Sequence, residues 1–260
     1  MNPVDKRRVR RSFSRSAAAY DGRAVVQRTI QDRMLALVSE AAPRARRALD
    51  VGAGTGALLA HLAAARPGLA PAAVDLAPGM AAAARTRVPG ALVAAADAEA
   101  LPFRSGSFDL VVSTSALQWL ERLEPAFREA RRVLAPGGVL AVALFGAGTL
   151  RELKDAWRAA AGDSARTHRF FSLDEVAGAL AAAGLAARAV FEEELVEHHP
   201  DARAVLRALK AIGATSAVPG ARGLGGRRAT LDMLRAYEER HATSRGVPVT
   251  WHVVWGLATR

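Results

Sequence analysis

The chain has 260 residues, 51% of them hydrophobic, no cysteine and a formal net charge of +11 at pH 7. That apolar content buries one sizeable core, so a single domain carrying an insertion is expected. The missing cysteines exclude a disulfide framework, a thiolate metal site and a cysteine nucleophile.

Residues 4–40 read as two helices broken near Tyr20-Asp21-Gly22, the second with Val26, Ile30, Met34, Leu37 and Val38 at helical spacing. After Pro43, strands and helices alternate. Strands are expected at Ala48–Val51, Ala72–Asp75, Ala91–Ala95, Phe108–Ser113 and Val139–Phe145. Helices fall between them at Ala57–Ala65, at Pro78–Arg87 with a proline at its first position, and at Leu123–Leu134, closed by Pro136-Gly137-Gly138. Further on, Leu150–Ala160 and Leu173–Ala183 read as helices and Ala186–Val196 as a strand. Arg203–Ile212 and Thr230–His241 are expected helices separated by a glycine-rich loop from Gly213 to Arg228, and Trp251–Ala258 is the last strand. The alternation predicts a doubly wound α/β fold with a mostly parallel seven-stranded sheet and helices on both faces. Four segments follow: an N-terminal helical cap (1–42), an α/β core (43–199), a helical insertion or lid over the ligand (200–248) and a final core strand (249–260).

Charge and apolar runs bound the surroundings. Arginine outnumbers lysine 33 to 3, and residues 1–50 and 201–260 carry +7 and +6 against −2 for residues 51–200. Basic flanks attract polyanions by long-range steering. The longest charge-free apolar stretch, Ala135 to Leu150, has 16 residues broken by proline and glycine, too short to span a bilayer. The N-terminus is basic and contains serine, as transit peptides are, but no secretory-type apolar core follows it. A cytoplasmic protein that does not engage a membrane is expected.

The segment Asp50-Val51-Gly52-Ala53-Gly54-Thr55-Gly56 carries the most chemistry. A glycine turn between a strand and a helix N-terminus is the nucleotide-binding corner of doubly wound folds. Its spacing departs from G-x-G-x-x-G, since Ala57 stands where the third glycine belongs. The D-x-G-x-G-x-G form resembles motif I of the class I S-adenosylmethionine (SAM)-dependent methyltransferases, which implies a Rossmann-like fold. A carboxylate at the next strand end, Asp75, can accept from both ribose hydroxyls. Asp97 ends the third strand, and the family uses that position for the adenine amino group. Asp109 opens the fourth strand, and Ser113-Thr114-Ser115 ends it beside the cofactor. The candidate cofactor set is Tyr20, Asp50, Gly52, Gly54, Gly56, Asp75, Leu76, Met80, Asp97, Ala98, Ser115 and Trp119. There is no G-x-x-x-x-G-K-[ST] phosphate loop, and neither tyrosine precedes a lysine by four residues as in short-chain dehydrogenases. No histidine has metal-ligand spacing, so no metal is expected. The tip after strand four also lacks [DN]-P-P-[FY], which disfavours a nucleic-acid amine as methyl acceptor.

Nearly the full length is similar to one family, the malonyl-[acyl-carrier-protein] O-methyltransferases of biotin synthesis. The similarity runs through Phe13-Ser14-Arg15-Ser16-Ala17-Ala18-Ala19-Tyr20, Asp50–Gly56, Leu101-Pro102-Phe103, Leu117-Gln118-Trp119 and His168-Arg169-Phe170. Most specific are Leu209-Lys210-Ala211-Ile212-Gly213-Ala214-Thr215 and Val249-Thr250-Trp251-His252-Val253. One departure is Ala53, where many relatives have cysteine. The resemblance implies methyl transfer from SAM, leaving S-adenosylhomocysteine, to the free carboxylate of a malonyl thioester on acyl carrier protein or coenzyme A. Such a carboxylate is already ionised at neutral pH, so no catalytic base is required. Arg169, Lys210 and Arg207 are the candidates for holding that anion. Tyr20 is expected to close over the cofactor, with Gln118 and Trp119 lining the pocket. Tyr20, Arg169 and Lys210 form the expected catalytic set. The carrier is acidic and is expected to meet the basic flanks through Arg207, Lys210 and nearby arginines, with the enzyme a monomer that does not bind nucleic acid. A small-molecule carboxylate or quinone methyltransferase, and a non-catalytic SAM- or nucleic-acid-binding protein, are the alternatives.

Overall fold

The computed structural model describes residues 4–22, 24–162, 169–211 and 224–260. Seven strands form one sheet in the order β3-β2-β1-β4-β5-β7-β6: β1 (Arg47–Val51), β2 (Ala70–Asp75), β3 (Leu92–Ala95), β4 (Phe108–Thr114), β5 (Leu134–Phe145), β6 (Ala186–His199) and β7 (Val247–Thr259). All pairs are parallel except those of β7, which runs antiparallel to both β5 and β6. The order reverses between β1 and β4. In an open parallel sheet the crevice beyond the carboxyl ends of two such strands is where ligands bind.

The helices are α1 (Lys6–Tyr20), α2 (Val25–Ala41), α3 (Ala57–Ala65), α4 (Pro78–Arg87), α5 (Glu124–Val133), α6 (Arg151–Ala161), α7 (Leu173–Ala182), α8 (Ala202–Ala211) and α9 (Leu224–His241). They cover both sheet faces. One core joins Ile30, Met34 and Val38 of α2 to Leu58, Trp255, Met233 and Tyr237. The other packs Phe127 and Val133 of α5 and Val176 and Leu180 of α7 against Leu49, Val111 and Val142. The central strands are buried on both faces, which is why they read as continuous apolar runs rather than alternating ones.

Several elements exceed their sequence-based limits for identifiable reasons. Strand β5 begins at Leu134 rather than Val139. A register shift between Phe108 and Leu110 of β4 takes up Pro136-Gly137-Gly138, so those residues interrupt the ladder without ending the strand. Strands β6 and β7 stay paired as far as His199 and Val247, while β5 stops at Phe145 opposite Val253. The β6–β7 ribbon therefore projects beyond the parallel sheet at its carboxyl end. Polar clamps hold this projection: Thr250 N–H donates to the buried carboxylate of Glu152 on α6 at 3.0 Å, and Trp251 Nε1 donates to Glu197 at 2.9 Å. Helix α9 starts at Leu224, earlier than expected. Its Tyr237 hydroxyl donates to the Pro248 carbonyl at 2.8 Å, and Arg240 pairs with Asp155 of α6 at 2.7 Å. Helices α8 and α9 thus brace α6 and the ribbon. The rest of the expected glycine-rich loop, with Ile212-Gly213-Ala214-Thr215, lies outside the described residues.

Candidate functional site

Strand β1 delivers the chain into the turn Gly52–Gly56 and then into α3. Gly52, Gly54 and Gly56 all have left-handed φ values, +74°, +55° and +81°. A side chain at Gly52 would be strained at that φ and would also collide with the Ala116 side chain, so only glycine fits between the β1 turn and the loop after β4. The turn is fastened to β2: Gly52 and Ala53 N–H donate to the Val74 carbonyl, and Gly54 N–H donates to Asp75 Oδ2 at 2.9 Å. Asp75 Oδ1 accepts from Ala77 N–H at 2.7 Å. Those two bonds aim the Asp75 carboxylate across the mouth of the turn. Burial pushes its pKa up, and the two N–H donors act in the opposite direction.

A cavity opens at this corner, with about 960 Å³ of empty space including its mouth. Its floor is Val51 to Thr55 and Val74 to Leu76. One wall is Ala96-Asp97-Ala98, and another is the segment from Thr114 to Leu117 with Trp119 and Leu120. The roof comes from the N-terminal helices: Lys6, Val9, Phe13 and Tyr20 of α1 and its end, with Gln27 and Gln31 of α2. Among the described residues, α8 and α9 contribute nothing to this lining, and residues 212–223 of the expected insertion lie outside them. The roof is α1, and the reason is packing: α8 and α9 have their apolar faces spent on α6 and the ribbon.

Helix α1 is seated by three fixtures. Asp5 caps its N-terminus, accepting from Arg7 and Arg8 N–H at 2.9 and 3.1 Å. Gly79 of α4 lets the α1 backbone pass: a Cβ there would lie 2.6 Å from the Ser14 carbonyl oxygen. At the far end Asp21 accepts from Thr55 Oγ1 at 2.6 Å and pairs with Arg87. Inside the roof, Phe13 stands edge-on to Tyr20 (6.2 Å) and to Trp119 (5.8 Å). Lys6 bridges Asp97, at 2.7 Å, and Glu99. Burial alone would lower the Lys6 pKa, but the two carboxylates outweigh it and the net shift is upward.

Two buried polar atoms at this corner have no partner within the protein, Asp50 Oδ1 and Ser115 Oγ. Asp50 lies beneath the glycine turn, 1% exposed. Burial, reinforced by the nearby Asp75 charge, pushes its pKa up to about 8. Ser115 follows β4 and is held at φ 53°, a left-handed conformation that costs a non-glycine residue energy. Gln118 sustains it, donating from Nε2 to the Ser115 carbonyl at 2.8 Å. Ser115 thus lines the cavity with a strained backbone and a buried hydroxyl that no protein group satisfies, a combination that concentrates at functional positions.

Of the sequence-based candidates, Tyr20, Gly52, Gly54, Asp75, Leu76, Asp97, Ala98, Ser115 and Trp119 line this cavity. Asp50, Gly56, Met80 and Gln118 stand behind the lining, Met80 fully buried under α4. The three candidate anion holders lie elsewhere. Arg169 pairs with Glu175 and stacks 5.4 Å from the Phe171 ring, while Arg207 is exposed, 3.9 Å from Asp201, and Lys210 is exposed on α8. None of them borders the cavity. His168 of the His168-Arg169-Phe170 motif lies outside the described residues. Asp109 serves structure: it accepts from Arg46 and Arg47 N–H at the opposite end of the sheet. Sequence reading missed Lys6, Val9, Gln27 and Gln31. The available signal was Lys6 itself, one of three lysines, placed on the apolar side of an amphipathic helix.

The family described as a methyltransferase domain matches residues 49–142. Over 99% of its length the chain is 52% identical to the malonyl-[acyl-carrier protein] O-methyltransferase of Geobacter sulfurreducens, covering 100% of that protein. It is 41% identical to the enzyme of the same name from Halorhodospira halophila, again over 99% of this chain and 90% of the relative. The fold resembles the crystal structure of a SAM-dependent methyltransferase from Thermotoga maritima, with a TM-score of 0.55, 21% identity, and 95% and 98% of the two chains covered. Among the described residues no helix is long and apolar enough to cross a membrane. No cluster of acids and histidines among them would hold a metal.

Proposed function

The chain belongs to the malonyl-[acyl-carrier protein] O-methyltransferases, and from that premise we propose that it methylates the free carboxylate of a malonyl thioester at the corner roofed by α1. The product is the methyl ester, an early step of biotin synthesis. The observation that carries the reading is the corner itself: a glycine turn, a strand-end carboxylate oriented by two backbone donors, and two orphaned polar atoms buried at that corner.

The residues suit SAM. Asp75 keeps lone pairs for the ribose hydroxyls, and Asp97, which lines the same cavity, is the acceptor we assign to the adenine amino group. The Gly52–Gly54 backbone lets the methionine portion approach, and its ammonium would draw the buried Asp50 carboxyl beneath the turn toward the ionised form. When bound, SAM supplies a methyl group on a positively charged sulfur, already activated for displacement.

This chain's residues have the remaining work. The malonyl carboxylate needs no deprotonation, so catalysis rests on holding one oxygen in line with the methyl carbon. Ser115 Oγ donates to the other oxygen from its strained position at the end of β4. Tyr20 remains protonated, since burial pushes its pKa well above the usual phenol range, and it offers a second neutral donor from the roof. Phe13 and Trp119 exclude water beside the transfer path. Arg169, Arg207 and Lys210 are left for contacts outside the cavity. The carrier and coenzyme A thioesters share this chemistry, and the carrier is the partner we assign.

The test offers the enzyme labelled SAM with malonyl-carrier, malonyl-coenzyme A, free dicarboxylic acids and RNA. Label released by mild alkali as a methyl ester from malonyl-carrier is expected. Transfer to free acids alone, or to RNA, would sink the proposal.

A further inference from the structure

Helix α1 has a second face, and none of the described residues neutralises it. Its inward side carries Lys6, Val9, Phe13 and Tyr20 into the cavity roof. Arg7, Arg11 and Arg15 follow at intervals of four on the opposite side of the helix, with Arg8 beside them, while Arg10, one turn after Lys6, sits at the edge between the two faces. All are exposed. Among the described residues none of the five makes an ion pair. The acids in reach are already committed: Asp5 to the helix cap, Asp97 and Glu99 to Lys6, and Asp21 to Arg87 and Thr55. Exposed basic groups elsewhere more often find a partner, as Arg33 does in Glu193, Arg151 in Glu194 and Arg240 in Asp155.

Resting on the substrate reading above, we propose that the outer face of α1, bearing Arg7, Arg11 and Arg15, is the docking surface for the acidic carrier protein that presents the malonyl thioester. Two observations select this occupant. The surface is a compact row of uncompensated positive charge, which complements a row of carboxylates on a partner helix. It is also the outer side of the element that roofs the cavity, one helix thickness (~10 Å) from the reacting atoms. A carrier seated there can pass a long flexible arm past α1 into the cavity. The basic residues of α8 offer no such access, because α8 does not border the cavity.

The experiment compares Arg11→Glu/Arg15→Glu with wild type and with Arg44→Glu/Arg46→Glu, a matched reversal at the amino end of the sheet. At low ionic strength the α1 pair should raise KM for malonyl-carrier at least tenfold. KM for SAM and for malonyl-coenzyme A should stay within about twofold, and the control pair should match wild type. Direct binding of the carrier, read by fluorescence anisotropy, should weaken in parallel. An unchanged carrier KM and carrier affinity in the α1 pair overturns the docking surface. So does a parallel rise in the coenzyme A KM, which marks a disturbed roof instead. Loss of binding to a short RNA or to phosphatidylserine vesicles, with carrier affinity intact, also overturns it by naming a different polyanion. If wild type binds carrier through α1 yet methylates no malonyl thioester, the substrate reading fails and the docking surface stands.

Discussion

Asp50 and Ser115 show what single side chains contribute at this corner. Asp50 is buried without a partner for one oxygen, so its folded pKa of about 8 lies above the ~3.9 of an unfolded chain. Between those values the native state binds more protons than the unfolded state, and stability falls as pH rises through the window, levelling off above it. Asp75, also raised, adds a contribution of the same sign. The ligand-free protein should therefore melt at a lower temperature at pH 8.5 than at pH 6. Asp50→Asn should flatten that difference while weakening SAM binding; equal pH dependence in both proteins, measured by calorimetry, would remove Asp50 as the cause. Ser115→Ala deletes the orphaned hydroxyl but leaves the backbone that Gln118 holds. It should lower kcat roughly ten- to a hundredfold with the SAM dissociation constant within about threefold, in keeping with loss of a transition-state donor. A changed SAM affinity at constant kcat would assign Ser115 to the cofactor instead. These two residues could be named from the sequence, since both end strands in the glycine-turn half of the sheet. Their missing partners could not, because burial and satisfaction depend on every element packed around them.

At the scale of elements, α1 is the part that sequence analysis assigned least specifically and that matters most to the site. Its helical nature was legible, since residues 4–40 read as two helices broken near Tyr20-Asp21-Gly22. Its position was legible only through Tyr20, expected to close over the cofactor, because a roof is defined by what lies beneath it. The α1–α4 crossing depends on Gly79, where an added Cβ would meet Ser14 backbone atoms at 2.6 and 2.9 Å. Backbone cannot yield as a flexible side chain does, so Gly79→Ala must move α1 outward. SAM affinity should fall at least tenfold. Global stability should change by no more than about 1 kcal/mol, since alanine's better helix propensity offsets part of the lost contact. Isothermal titration and urea unfolding would check the two halves, and unchanged affinity would show that α1 does not roof the cofactor. The ribbon of β6 and β7 teaches the complementary lesson. Val249-Thr250-Trp251-His252-Val253 marked the family in the sequence, and in the fold those residues are largely structural. Thr250 satisfies buried Glu152, Trp251 binds Glu197, and His252 Nδ1 accepts from Gly148 N–H at 3.2 Å. A specific motif need not touch a ligand.

On the scale of the whole molecule, ligand and fold are coupled through the cavity. A ligand that binds only the folded chain stabilises it by about 2.7 kcal/mol at one hundred times its dissociation constant. For a protein of this size each kcal/mol moves the melting temperature by roughly 2–4 °C, so saturating SAM should raise it by about 5–10 °C. Absence of any shift at concentrations supporting turnover would place the cofactor elsewhere. Strand–helix alternation, cofactor corner and reaction class were readable from the chain because each rests on local patterns: apolar runs separated by helical segments, a glycine spacing, and acids at strand ends. Periodicity and backbone conformation are properties of a few neighbouring residues, and they survive in one dimension. Which basic segment borders the cavity is not local. The two flanks carry nearly equal positive charge, and nothing in their composition separates a roof from a brace. That choice fell to tertiary packing, which commits the apolar faces of α8 and α9 to α6 and the ribbon, and lays α1 across Gly79 and over the glycine turn.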